Sequence, residues 1–122
     1  MTGIEGFIAL LEQRKRRYLF AGDARAGLLA LLDLEGRIFA VLDGTILNRV
    51  NAAALDLDST RERYVNPGGD GLWPAPEGSS LGYEYPTGAW RVPAAITSAR
   101  YRAEESSASG FRIAAELDLV NN

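Results

Sequence analysis

The sequence predicts a mainly β protein, an antiparallel β-sandwich with one N-terminal α-helix, and three observations lead there. The opening residues repeat apolar side chains at helical spacing, "EG" and "DG" dipeptides then separate short apolar runs, and the final third alternates apolar and polar residues. At 122 residues, 47% hydrophobic and 24% charged, the chain can bury one core and is too short for two. A single domain over 1–122 is expected.

Thr2 is placed to cap a helix over 2–17, whose Ile4, Phe7, Ile8 and Leu11 share one face and whose Glu5 lies near the positive dipole end. The basic run Arg14, Lys15, Arg16, Arg17 reads as a solvated last turn opposing the negative dipole end. A strand meander follows over 18–50, with runs Leu28 to Leu34, Arg37 to Leu42 and Thr45 to Val50. Asp43-Gly44 between the last two is a type I′ hairpin signal. These runs are apolar at nearly every position, so both sheet faces are expected to be covered, one by the helix and one by a second sheet.

A region rich in glycine, proline and aromatics occupies 51–93, and a hairpin is expected over 94–120. Its first strand carries Ala95, Thr97, Ala99, Tyr101 and Ala103 on one face; its second carries Phe111, Ile113, Ala115, Leu117 and Leu119. Arginines and acids on the wet face are positioned to pair across it. The edge at 111–120 has nothing after it to cover it, which predicts a homo-oligomer paired through that edge.

The chain contains neither cysteine nor histidine, which removes disulfides, thiolate nucleophiles, Ser-His catalysis and ordinary zinc sites. Proton chemistry falls to carboxylates, hydroxyls, Lys15, arginines and tyrosines. No cofactor and no metal are expected: "DLDSTRE" at Asp56 to Glu62 starts with the acid spacing of an EF-hand but lacks its glycine and closing glutamate. A net charge of -3 offers no field for nucleic acid, and no apolar run reaches the roughly 20 residues of a membrane helix. The first 17 residues put their charges after the apolar part, the reverse of a secretory signal, so the cytoplasm is the expected location.

The stretch "NPGGDGLWPAPEG" holds the candidate site. Gly68, Gly69 and Gly71 permit left-handed backbone that turns N–H groups toward one point, and Pro67, Pro74 and Pro76 stiffen the flanks. Trp73 supplies a flat apolar face beside the carboxylates Asp70 and Glu77, and Tyr83, Glu84, Trp90 and Arg91 extend the set. Stacking faces beside hydrogen-bonding edges suit a sugar ring. The same residues also fit a second reading, in which the tryptophans plug one end of the sandwich and Asp70 accepts backbone hydrogen bonds.

"GRIFAVLDGTILN" at Gly36 to Asn48, followed by "GGDGLWPAPEG", resembles the N-terminal part of the galactose-mutarotase-like β-supersandwich superfamily, nearest to a bacterial group with a Gly-Gly-Asp, spacer, Leu-Trp-Pro-Ala-Pro loop. The match spans Gly36 to Glu77, about a third of the chain. It implies a partial supersandwich, a sugar-facing loop, and a chain that is either a fragment or a small relative completed by self-association. Mutarotases use a histidine acid and a glutamate base; this chain has no histidine and ends before the region where that base is expected, so no catalytic residue is assigned. Three functions follow: carbohydrate binding without a complete catalytic pair, a sugar-active enzyme using Asp70, Glu77 and Glu84, or a self-assembly module.

Overall fold

The computed structural model describes residues 2–60, 62–73, 83–84, 89–90 and 93–118, with 83–84 and 89–90 described by their backbone pairing. A five-stranded antiparallel sheet in the order β1-β5-β4-β3-β2 is built from β1 (Thr2–Gly3), β2 (Tyr18–Gly22), β3 (Ala26–Leu31), β4 (Arg37–Leu42) and β5 (Thr45–Ile46). Two hairpins accompany it, β6 (Tyr83–Glu84) with β7 (Ala89–Trp90), and β8 (Arg102–Ser107) with β9 (Gly110–Ala114). With helix α1 (Ile4–Gln13), the protein is mainly antiparallel β with an N-terminal helix. Among the described residues no helix is long and apolar enough to cross a membrane.

Strand register decides which apolar side chains meet. Phe20, Leu29, Phe39 and Val41 share one face, and α1 lays Ile4, Phe7 and Leu11 against it. Phe7 and Phe39 meet edge to face at 5.3 Å, and Leu11, Leu29 and Phe39 are fully buried, each worth about 1.5–3 kcal/mol of apolar transfer. Leu28, Ala40 and Leu42 point the other way. That second face is covered less completely than its apolar sequence predicts: Leu28, Leu42 and Leu47 remain 46%, 49% and 57% exposed.

The helix starts and stops differently from its sequence signals. Thr2 does not cap it; Thr2 pairs with Ile46 in the sheet, Gly3 stands at the N-cap, and the carbonyl of Gly44 accepts the N–H of Ile4 at 2.9 Å. Sheet pairing satisfies the first helical donor, so a side-chain cap is superfluous. The helix ends at Gln13, short of 17, and Lys15 turns the chain at φ 57°. The basic run therefore lies past the last helical turn, and Arg14, Lys15 and Arg17 are solvent-exposed as expected while the arginines also pair with acids. Arg14 pairs with Asp56, Arg16 with Asp58 at 3.1 Å, and Arg17 with Asp33 at 2.7 Å, tying the turn to the 3₁₀ segment Ala52–Asp56 and to the β3–β4 turn. Asp56 and Asp58 are thus engaged by guanidinium groups.

Tyr18–Gly22 forms a strand outside the three predicted runs, while Thr45 to Val50 shortens to Thr45–Ile46. Asp43 and Gly44 adopt φ 48° and 78°, as the hairpin signal requires. In the last third, Ala94–Thr97 is a helical turn (α2), not the start of a strand. Beyond it Ala99 and Tyr101 attach to the β3–β4 turn through Glu35 N–H to Ala99 O (3.0 Å) and Tyr101 N–H to Leu32 O (2.8 Å). Those long-range bonds override the period-two pattern until Arg102, where β8 begins. Arg102 then meets Glu116 at 3.1 Å, an ion pair expected on the wet face, whereas the 3.7 Å pair of Arg112 with Glu105 follows a register shift between Ala103 and Glu105 that breaks the alternation.

Candidate functional site

The free edge of β4 organises the site. Past the two residues of β5, Leu47 donates to the carbonyl of Ala40 (2.8 Å) and the side chain of Asn48 accepts the N–H of Ala40 (2.7 Å). Further along, Ile38 and Asp70 exchange backbone hydrogen bonds of 3.0 and 2.8 Å, and Val50 bridges to Gly68. The glycine-rich loop is therefore attached to the sheet as an extra stretch of edge.

Gly68 and Gly69 make that attachment sterically feasible. They take φ 91° and 69°, and a Cβ on Gly69 would lie 2.8 Å from the carbonyl oxygen of Ile38. The amides of Gly68, Gly69 and Asp70 do not face a ligand. Gly68 donates to Asn66 Oδ1 (2.9 Å), Gly69 to Arg49 O (3.0 Å) and Asp70 to Ile38 O, so all three amides are used inside the protein. Gly71 has no left-handed φ; a Cβ there would come within 2.8 Å of the Arg37 guanidinium.

Between this loop and residues 48–51 opens a cleft of about 670 Å³. Its wall carries Asn48, Arg49, Asn51, Asn66 and Asp70, with the backbone of Gly68 and Gly69 as part of the lining. Asn51 steadies the rim through its N–H to Pro67 O (3.0 Å) and its amide to Asn66 O (3.0 Å). Carboxamides, a guanidinium and a carboxylate around one opening offer donors and acceptors suited to a polyhydroxylated ligand.

Behind the cleft lies a buried polar cluster of which the sequence pointed to Trp73 alone. Glu35 (3% exposed) and Arg37 (5%) flank Gly36 in the β3–β4 turn, joined at 2.8–2.9 Å. The Trp73 indole N–H donates to Glu35 Oε1 at 2.7 Å, the Tyr64 hydroxyl donates to Glu35 Oε2 at 3.2 Å, and Arg37 Nη2 donates to the Tyr64 oxygen at 2.7 Å. Arg37 Nη1 reaches the carbonyls of Gly69 (3.3 Å) and Gly68 (3.5 Å). Tyr64 and Trp73 meet edge to face at 6.2 Å, with the Arg37 guanidinium 6.0 Å from the indole centroid. Burial, reinforced by the negative charge of Glu35, pushes the Tyr64 hydroxyl up to about 12 against the opposing pull of Arg37.

Two of the sequence-predicted residues, Asp70 and Trp73, are fully described, and they take different positions. Asp70 lines the cleft and is exposed; half-buried Trp73 is bound to Glu35 behind it. Tyr83 is the cross-strand partner of Trp90, and Glu84 of Ala89. Glu77 and Arg91 lie outside the described residues. The structure marks the turn itself, since Glu35 adopts φ 68°, a region that Asn, Asp and Gly enter far more readily. The spread of Asn48, Asn51 and Asn66 along the chain concealed the cleft.

Compared with known proteins, the chain matches no family model, no curated protein and no solved structure.

Proposed function

We propose that the protein binds a carbohydrate in the cleft between residues 48–51 and the Gly68–Asp70 loop. The observation that carries this reading is a polar opening of about 670 Å³ whose lining is tied down by backbone pairing, Asp70 to Ile38 of β4 and Gly68 to Val50. Asp70 and Arg49 supply the charged hydrogen-bonding groups, and Asn48, Asn51 and Asn66 supply carboxamides and backbone polar atoms. Trp73 supports the loop from behind through Glu35. The likeness of residues 36–77 to galactose-mutarotase-like sequences favours a sugar over other polar ligands, and the absence of histidine favours binding over anomer interconversion. Ligand-observed saturation-transfer NMR against pooled mono- and disaccharides tests it. Transfer that is lost in both Arg49→Ala and Asp70→Ala is expected; no transfer from any pool, or transfer indifferent to both changes, overturns the reading.

A second reading, self-association, is favoured by the exposure of Leu28, Leu42 and Leu47 on the face away from α1. Light scattering across a concentration series distinguishes it: growth in mass that is abolished by Leu47→Glu supports assembly, and a constant monomer mass removes it.

A further inference from the structure

We infer that Glu35 and Arg37 are positioning residues for the cleft: the buried pair, with Tyr64 and Trp73, sets where Gly68, Gly69 and Asp70 stand before any ligand arrives. The inference rests on reading the cleft as the ligand site, although its test is read without ligand.

Asp70 lies between two anchors that converge on one carboxylate. On its N-terminal side, Arg37 Nη1 holds the carbonyls of Gly69 and Gly68, turning them inward at 3.3 and 3.5 Å. On its C-terminal side, Trp73 donates its indole N–H to Glu35 at 2.7 Å. Glu35 joins the two anchors because its Oε2 accepts from Arg37 Nε at 2.9 Å while its Oε1 accepts from Trp73. Every described side-chain contact on Glu35 is a donor: Arg37, Tyr64 and Trp73. A carboxylate this buried and turned toward three protein donors is not presented to a ligand, so its contribution to binding is exerted through the loop.

The planar fork of Arg37 is the other half of the device. It spans Glu35, Tyr64 and two consecutive loop carbonyls from one rigid group, which a lysine ammonium on a flexible stem does not reproduce. Affinity therefore depends on residues that do not touch the ligand.

Amide hydrogen exchange followed by NMR on the full chain tests this in Tyr64→Phe, Trp73→Phe and Arg37→Lys. The Gly69 and Asp70 amides, bonded to Arg49 O and Ile38 O, are expected to exchange about tenfold faster in each variant, with the β2–β3 ladder unchanged. Unchanged protection at Gly69 and Asp70 in Tyr64→Phe and Trp73→Phe overturns the inference, as does equal acceleration throughout the sheet, which marks mere global destabilisation. Full protection in Arg37→Lys overturns the role given to the fork. If the sugar pools give no transfer while the local loosening occurs, the binding reading fails and the positioning of the loop stands.

Discussion

Replacing Glu35 by glutamine keeps the shape of the side chain and removes its charge, yet the surroundings make it a severe change. Arg37, Tyr64 and Trp73 all donate to Glu35, so the new NH₂ group meets a donor wherever it turns. The Glu35 and Arg37 side chains are 2% and 7% exposed, leaving little water to compensate the guanidinium. Removing one member of a buried pair costs about 3–5 kcal/mol. The lower end applies here, because Arg37 keeps the Tyr64 hydroxyl and the Gly69 carbonyl as acceptors. A loss of about 3 kcal/mol is a large fraction of the roughly 5–15 kcal/mol typical of a domain. With a urea m value of about 1–3 kcal/mol/M the unfolding midpoint drops by about 1.5 M, read by circular dichroism. Arg37→Met is expected to cost a comparable amount, and the double variant Glu35→Gln/Arg37→Met less than the sum of the two single changes. A loss below about 1 kcal/mol for Glu35→Gln, or strict additivity of the pair, refutes the description of Glu35 and Arg37 as a coupled buried unit.

Three further outcomes are expected of the same fold. Burial by itself would raise the Asp33 pKa, but the backbone and side chain of Arg17, with Arg100 nearby, hold it below its ordinary value. The charged form is therefore favoured by folding, so this stabilisation is present above about pH 4 and is lost as pH falls through the depressed folded value; Asp33→Asn should flatten that acid limb in thermal melts. Tyr64 shifts the opposite way: with a folded pKa of about 12, its neutral form is favoured, and its contribution is complete below about pH 10 and lost on rising through about 12. Ultraviolet titration should lose a late tyrosinate step in Tyr64→Phe, while the raised step of Tyr18 remains. In the core, Phe39→Ala removes the fully buried partner of Phe7 and should cost about 3–5 kcal/mol in a urea titration; a cost under about 1 kcal/mol would contradict the packing of α1 on the sheet.

Local sequence determined the parts whose physics is local. Ile4, Phe7 and Leu11 recur at the helical period and bury together, Asp43-Gly44 turns a hairpin, and alternation around Phe111 and Ile113 forms a strand, because turn sterics and side-chain periodicity act over a few residues. Glycine at 68 and 69 likewise announced left-handed backbone. Which partners those elements meet was decided by the tertiary structure. Thr2 gave up a cap for a sheet pairing, the arginines after α1 found acids some 16 to 42 residues away, and Ala99 with Tyr101 left the strand pattern to close over the β3–β4 turn. The candidate site divides the same way: Asp70 stood out as a loop carboxylate, whereas Glu35, Tyr64 and Trp73 come together from distant parts of the chain only in the folded structure. Hydrogen bonds between groups 29 and 38 residues apart carry no periodic trace in the chain, so only the folded arrangement reveals that one buried carboxylate supports the loop.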